Sequence, residues 1–231
     1  MQVFREKPIK DLLVIHIIFA VIAAITLIFP FPQALISGKL LVLIIIYNGL
    51  IIIEFYSKGY EDWRSIWTFS IVLSLLMVFP DWYLSETLSA LQFFDDGFPM
   101  IGSAIPIYMA GLWAIPFFII IFIAKEIQKR KSQKMAYTVV AIASLVIFSL
   151  AELTLVYLPS WTATVIGKTG NLAWYIIIPE LLLGLSTFIC YDFVKDKHIW
   201  MKIIGAFTVM VFYIGNASFF YFIIESLLLG A

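Results

Sequence analysis

Acidic residues that lie within or between long apolar segments are the side chains of this sequence best suited to chemistry. Glu152 and Glu180 each lie in a stretch that is otherwise almost entirely hydrophobic, and Asp95 and Asp96 form a pair in a loop between two such stretches. Because an ionised carboxylate is costly to move out of water, a carboxyl group in an apolar segment can stay neutral and donate a proton. We therefore take Glu180 and Glu152 as candidate catalytic acids. Asp95 and Asp96 are candidates for positioning substrate or binding water in the same catalytic site.

Glu180 has the most distinctive neighbours in the sequence. It follows Pro179, and a proline inside a helix removes a backbone hydrogen bond and favours a kink. Gly184, Thr187 and Tyr191 follow it at helical spacing, which places small and polar side chains on one face. This face is suited to packing against other helices, with the Glu180 carboxyl directed into the bundle. The alternative is a structural carboxyl that is hydrogen-bonded to a neighbouring helix.

Other polar residues of the apolar segments have simpler explanations. Glu152 has the same two interpretations as Glu180, a catalytic acid or a structural carboxyl. Its position in the outer part of its span also allows it to reach the membrane interface, which favours the structural role. Glu54 precedes Lys58 by one helical turn, which favours an ordinary ion pair. His16 stands alone on an apolar face, which favours a hydrogen-bonded structural histidine over a ligand-binding one. Glu225 lies near the end of the chain, and we expect it to contact water.

The loop segment 81–104 concentrates acidic, aromatic, glycine and proline residues between two apolar stretches. Leu84, Leu88, Leu91 and Phe94 have the spacing of one apolar face of a short helix. Such a helix would lie flat in the membrane interface as a lid. The sequence therefore predicts a covered site on this side of the membrane.

Turn and breaker residues follow the predicted lid. Residues 95–99 contain two aspartates, a glycine and a proline and predict a turn. Pro106 and Pro116 predict that the next span is interrupted. Candidate substrate-binding residues are the polar and aromatic side chains Asp81, Trp82, Tyr108, Trp113, Trp161 and Asn216.

The composition is that of a membrane protein. Of its residues, 63% are hydrophobic and 13% are charged, whereas soluble domains have about 25% charged residues. Apolar runs of about 20 residues, the length that crosses a bilayer, recur along the chain. They predict an all-α fold, in which residues 1–231 form a single integral membrane domain of seven transmembrane helices. The predicted spans are residues 11–29, 39–56, 63–79, 105–124, 136–158, 172–191 and 203–229.

Basic residues are distributed unevenly between the connections, and cytoplasmic loops are enriched in them. The N-terminus and the connections after the second, fourth and sixth spans hold all but two of the 15 lysines and arginines. The remaining two, Lys39 and Lys168, belong to the opposite side. This asymmetry predicts a cytoplasmic N-terminus and a C-terminus outside, and its regular alternation supports seven spans.

Several function classes lack the residues that they need. The net charge is zero, so no overall field attracts nucleic acid. The single cysteine, Cys190, lies in an apolar span, and no cluster of His, Cys and carboxylate residues has metal-site spacing. No phosphate-binding loop or dinucleotide fingerprint occurs, so we predict no cofactor and no metal. The alternative of a Mg²⁺ ion bound by carboxylates together with a substrate phosphate stays open. The last span has no lysine for a retinal Schiff base, which excludes a rhodopsin.

A resemblance to a known family extends over residues 81–191. Glu152 with Trp161 and Gly167 is similar to the acid-containing segment of the membrane-embedded carotenoid hydratases of carotenoid biosynthesis. An earlier loop, and the helix that this loop enters, also resemble that family. The residues that carry this part of the resemblance are Gly97, Phe98, Pro99, Gly102, Ile105, Pro106 and Trp113. The resemblance implies an isoprenoid-modifying enzyme in a prokaryotic cell membrane.

A second resemblance, to small seven-span meroterpenoid cyclases, rests on Tyr47, Asn48 and Glu54. Both imply that a poorly solvated acid protonates an alkene or epoxide and that aromatic faces stabilise the carbocation. We therefore expect a hydratase or cyclase that takes an isoprenoid or carotenoid-type lipid directly from the bilayer. The alternatives are a carrier or channel that uses the same carboxylates, and a non-catalytic membrane subunit.

Overall fold

The computed structural model of the protein describes residues 7–28, 36–158 and 160–230. Within them, seven helices are long and apolar enough to cross a membrane, which confirms the predicted all-α architecture of a multi-pass membrane protein. Phe29, the predicted end of the first span, and Ala231 lie outside the described residues. The seven spans are Lys7–Ile28, Ile36–Lys58, Glu61–Thr87, Met109–Arg130, Gln133–Leu155, Trp174–Val194 and Ile199–Leu228.

The fourth span is divided at Trp113, in agreement with the interruption predicted near Pro116, whereas Pro106 lies in a strand before the span begins. The third and seventh spans end in π-helical turns, Tyr83–Thr87 and Phe222–Leu228, and the sixth begins with a 3₁₀ turn, Trp174–Ile176. The α-helices of the described residues are α1 (Lys7–Ile28), α2 (Ile36–Lys58), α3 (Glu61–Trp82), α4 (Met109–Leu112), α5 (Ala114–Arg130), α6 (Gln133–Leu155), α7 (Ile177–Val194) and α8 (Ile199–Tyr221).

Short strands cover one end of the helix bundle. They are β1 (Leu91–Phe93), β2 (Met100–Ile101), β3 (Ile105–Pro106), β4 (Trp161–Ala163), β5 (Lys168–Thr169) and β6 (Leu172–Ala173). β1 pairs antiparallel with β4, so that Phe93 lies opposite Trp161 and the α3–α4 connection is joined to the α6–α7 connection. β2 pairs with β3, and β5 with β6, each within one connection. We call residues 88–108, 156–158 and 160–173 the cap.

The predicted interfacial helix is wrong. Leu84 belongs to the π-helical end of the third span and is buried, whereas Leu91 lies in β1 and Phe94 directly follows that strand. Leu88 closes the π-helical turn by donating its backbone N–H to the carbonyl of Tyr83 at 3.1 Å. The apolar spacing favoured a helix, but β1 obtains its hydrogen bonds from β4, a partner that local periodicity does not reveal.

Helix α1 packs against α2 through a few polar contacts. The Tyr47 hydroxyl lies 3.3 Å from Nε2 of His16, whose Nδ1 is 2.8 Å from a backbone carbonyl one turn earlier. At the end of the bundle opposite the cap, the Lys58 ammonium pairs with Glu54 at 2.5 Å and with Asp11 at 2.9 Å. His16 and Glu54 therefore have the structural roles that their sequence positions favoured.

Helix α7 packs tightly against α6 at Gly184. A Cβ atom built on this glycine would lie 1.7 Å from Oγ and 2.6 Å from Cβ of Ser144. Both distances are below any real contact, so only a residue without a side chain fits here. The small-residue face predicted from the sequence thus packs α7 against α6 and fixes the two helices that carry Glu180 and Glu152.

We expect Gly184→Ala to destabilise the folded protein by about 1–3 kcal/mol, because it overpacks a tight helix contact. Gly215→Ala is the matched control, since a Cβ at Gly215 meets nothing within 4 Å, and alanine is the better helix former. Thermal unfolding in detergent measures both variants. Adding Ser144→Gly to Gly184→Ala should recover part of the loss; no recovery would contradict the steric explanation.

Candidate functional site

A cavity of about 240 Å³ lies at the cap end of the bundle and contains three carboxyl side chains. They are Asp81 from α3, Glu152 from α6 and Glu180 from α7. Most of the other side chains that line the cavity are apolar or aromatic. Two of the predicted acids and one predicted substrate-binding carboxyl, separated by up to about a hundred positions in the chain, therefore line one cavity.

Glu180 lies in the first turn of α7 and is 3% exposed. Its carboxyl has no hydrogen-bond or ion-pair partner among the residues that the structure describes. Pro179 does not kink the middle of a helix, as the sequence suggested: it belongs to the first turn of α7, where its missing N–H has no intrahelical acceptor. A carboxyl that is buried, unpartnered and directed into a cavity is unusual, because buried polar groups are normally hydrogen-bonded.

The other two carboxyl groups each hold an indole ring. The Trp113 Nε1–H donates to Oδ2 of Asp81 at 3.0 Å, and the Trp161 Nε1–H donates to Oε2 of Glu152 at 3.1 Å. Asp81 is 2% exposed, at the cap end of α3. Trp113 is the residue that divides the fourth span, and Trp161 begins β4. Both indoles line the cavity, and each is fixed by a carboxyl from a different helix.

Aromatic side chains surround Trp113. Its ring stacks on Phe117 at a centroid distance of 5.7 Å and contacts Phe148 at 5.6 Å and Tyr213 at 6.4 Å. Tyr213 and Tyr175 are buried and line the cavity. Sequence reasoning did not select these two tyrosines. The only sequence signal for Tyr175 was its position five residues before Glu180. No neighbouring residue in the sequence pointed to Tyr213.

Asp95 and Asp96 lie in the cap, outside the residues that line the cavity. Oδ1 of Asp95 accepts the N–H of Gly97 at 2.9 Å, and Oδ1 of Asp96 accepts the N–H of Phe98 at 3.1 Å. Oδ2 of Asp96 also accepts the backbone N–H of Ser37 at 2.8 Å, in the first turn of α2. These contacts form the predicted turn and anchor the start of α2, so the structure does not bring the pair to Glu180.

Three further candidates also lie apart from the cavity. Trp82 is partly exposed and stacks on Phe79 at 5.9 Å. The hydroxyl of Tyr108 donates to the carbonyl of Ser160 at 3.5 Å, and burial raises the pKa of this phenol. Asn216 donates to a backbone carbonyl one turn earlier at 2.7 Å. These three side chains contact neighbouring residues of the protein and do not line the cavity.

Glu225 was expected to contact water, and this expectation is wrong. The side chain is 0% exposed. Its Oε2 accepts the N–H of Ile166 at 3.0 Å and its Oε1 accepts the N–H of Gly167 at 3.2 Å. A Cβ on Gly167 would lie 2.7 Å from Oε1, so the glycine permits this close approach. Glu225 therefore holds the cap to the last span.

The site combines an unpartnered acid with fixed aromatic faces in an apolar space. Such an arrangement is suited to transferring a proton to an apolar substrate and to stabilising the positive charge that results. In the described part of the chain, no group of three or more His, Cys, Asp or Glu side chains is arranged to hold a metal ion.

Comparisons with known proteins give one match. A family described as a domain of unknown function, DUF6989, matches residues 78–224. Neither the curated proteins nor the solved structures give a match. The resemblance to carotenoid hydratases and meroterpenoid cyclases therefore stays a prediction. The matched region runs from the end of α3 to the last span and includes all three cavity carboxyl groups, and the chain belongs to the DUF6989 family.

Proposed function

We propose that this protein is an integral membrane enzyme that protonates an alkene or epoxide of an isoprenoid lipid and so catalyses its hydration or cyclisation. The observation that carries the proposal is the Glu180 carboxyl, buried and without a partner among the described residues, at the wall of an apolar cavity. A carboxyl that served as a structural bond would be expected to have a partner. The two indoles fixed by Asp81 and Glu152 add further support.

In this proposal Glu180 is the proton donor. Its proton and the π electrons of the alkene form a new C–H bond and leave a carbocation, which the faces of Trp113 and Trp161 stabilise. The cation then captures water, which loses a proton, or is attacked by a second alkene of the same chain and loses a proton. That proton returns to the Glu180 carboxylate, so the cycle needs no external acid. Asp81 and Glu152 act as positioning residues for the indoles.

Lipid extracts analysed by mass spectrometry, from cells with and without the protein, test this function. We expect an isoprenoid product that is absent when the protein is absent or carries Glu180→Gln. If the variant instead loses proton or cation flux in liposomes and no lipid changes, the protein is a carrier or channel. If it loses only the assembly of a larger complex, the protein is a non-catalytic subunit.

We also propose the orientation that the basic residues predict, with the cap outside the cytoplasm. A reporter inserted at Ser132, in the α5–α6 connection, should be active only in the cytoplasm. A reporter fused after Ala231 should be active only outside it. Reporter activity on the opposite sides would overturn this orientation without affecting the assignment of the cavity.

A further inference from the structure

We infer that the cavity opens sideways to the bilayer between α5 and α6, and that the apolar end of a lipid chain enters there. The inference rests on the proposed function for the chemistry of the substrate. It concerns a separate question, which is how the substrate reaches the site and which part of it occupies the cavity.

The cavity wall is only partly buried along α5 and α6. Six apolar lining residues of these helices are half-buried: Ile115, Pro116, Ile119, Ile147, Ala151 and Leu155. By contrast, the lining residues Asp81, Glu180 and Tyr213 from the other helices are each at most 3% exposed. The three residues of α6 recur every fourth position and so follow one stripe. The result is an opening between the two helices, edged by these apolar side chains and by Glu152 of α6, which also lines the cavity and is half-buried.

The cap closes the end of the cavity that would otherwise face water. Phe93, Trp161 and Ala163 of the paired strands β1 and β4 are buried and line the cavity. The backbone N–H of Ala163 also donates to Oδ1 of Asn171 at 2.7 Å, which binds β4 to the rest of the cap. A molecule that came from the aqueous phase would have to separate these strands.

The opening lies along the cap-end part of α6, beside apolar side chains that face outward. On the outer face of α6, beside the stripe, Val146 and Leu150 are exposed apolar side chains. From Ile147 to Leu155 the stripe extends about 12 Å along the helix axis. That is less than half of the ~30 Å hydrocarbon core of a bilayer. A lipid chain therefore meets the opening without crossing the headgroup region.

The size of the cavity limits what enters. The cavity of about 240 Å³ is smaller than the ~300–1,000 Å³ of sites that take up a whole drug-sized ligand. It therefore holds a part of a polyisoprenoid and not the whole chain. The reacting alkene or epoxide is thus at the apolar end of the substrate, while the rest of the lipid stays in the bilayer.

Photolabelling tests the route with a farnesol analogue that carries a diazirine on its terminal isoprene unit. The purified protein is reconstituted in phosphatidylcholine liposomes, and labelled residues are mapped by mass spectrometry. We expect labelling of Trp113 and Phe148 inside the cavity. Ala151→Trp, which fills the opening, should lower this labelling by about tenfold or more. Leu150→Trp, on the outer face of the same helix, is the matched control and should leave labelling unchanged.

A disulfide across the cap gives an independent measurement that does not depend on the folding of the Trp variant. Gln92 and Thr162 are exposed partners in the β1–β4 pair, and Gln92→Cys with Thr162→Cys is made in a Cys190→Ser background. Locking the strands should leave labelling unchanged. Labelling that disappears when the cap is locked, persists in Ala151→Trp, or is missing from the wild-type cavity overturns the inference. Glu180→Gln should be labelled like the wild type, so failure of the route is distinguishable from failure of the proposed chemistry.

Discussion

Replacing Glu180 with glutamine is expected to lower turnover by about 10² to 10⁴, the usual effect of losing a general acid, while the protein stays folded. Glutamine keeps the size and the hydrogen-bonding capacity of the side chain but has no proton to transfer. Because the Glu180 carboxyl has no partner among the described residues, the substitution removes no structural bond. The measurement is the amount of lipid product per amount of folded protein, and Glu180→Asp should fall between the wild type and Glu180→Gln.

The matched control for this variant is Glu54→Gln, at the opposite end of the bundle. It removes one carboxylate from the ion pairs of Lys58 but lies far from the cavity, so turnover should persist. If Glu180 instead makes an interhelical bond, its loss should lower thermal stability by only about 0.6–2 kcal/mol and leave turnover per folded protein intact. Wild-type products from a well-folded Glu180→Gln variant would exclude Glu180 as the acid and transfer the role to Glu152 or Asp81.

Glu225→Ala is expected to destabilise the cap by about 1–3 kcal/mol, since the buried backbone N–H of Gly167 loses its acceptor. The N–H of Ile166 loses the same acceptor, but Ile166 is exposed and its N–H can bind water instead. Glu225→Gln keeps one acceptor oxygen and should lose about half as much. Thermal unfolding measures the change, and tryptic cleavage after the exposed Lys168 reports the release of the cap.

Glu86→Ala is the control for the loss of an acidic side chain at this end of the bundle. Glu86 is exposed in the π-helical turn of the third span. We expect its replacement to leave both unfolding and cleavage after Lys168 unchanged. Equal resistance of Glu225→Ala and the wild type to trypsin would show that the cap does not depend on Glu225.

The sequence predicted the spans well because crossing a bilayer imposes a length and a composition that each segment must satisfy alone. The same local argument selected Glu152 and Glu180, since an acid in an apolar span is costly and tends to face the bundle interior. The position of Glu180 in a first turn was not predictable, because the hydrophobic run that contains it continues on both sides of the helix start.

The cap could not be predicted from the sequence because the hydrogen bonds between its main strands join segments that are distant in the chain. The pairing of β1 with β4 joins segments on either side of two membrane spans, and a spacing of leucines that also fits a helix does not reveal it. The aspartates of the cap are a different case. Asp95 and Asp96, beside Gly97, predicted a turn, and in the structure their carboxyl groups bond backbone N–H groups there and at the start of α2.

The pairing of β1 with β4 has a consequence for biogenesis. When β1 has been synthesised, its partner has not left the ribosome, and two more spans must be inserted before β4 reaches the same side of the membrane. Glu225 is supplied only by the last span. Domains form as units once their segments are present, so the cap closes late and is secured last. A chain that stalls before β4 is made therefore leaves the edge of β1 unpaired outside the bilayer, where membrane quality control can recognise it.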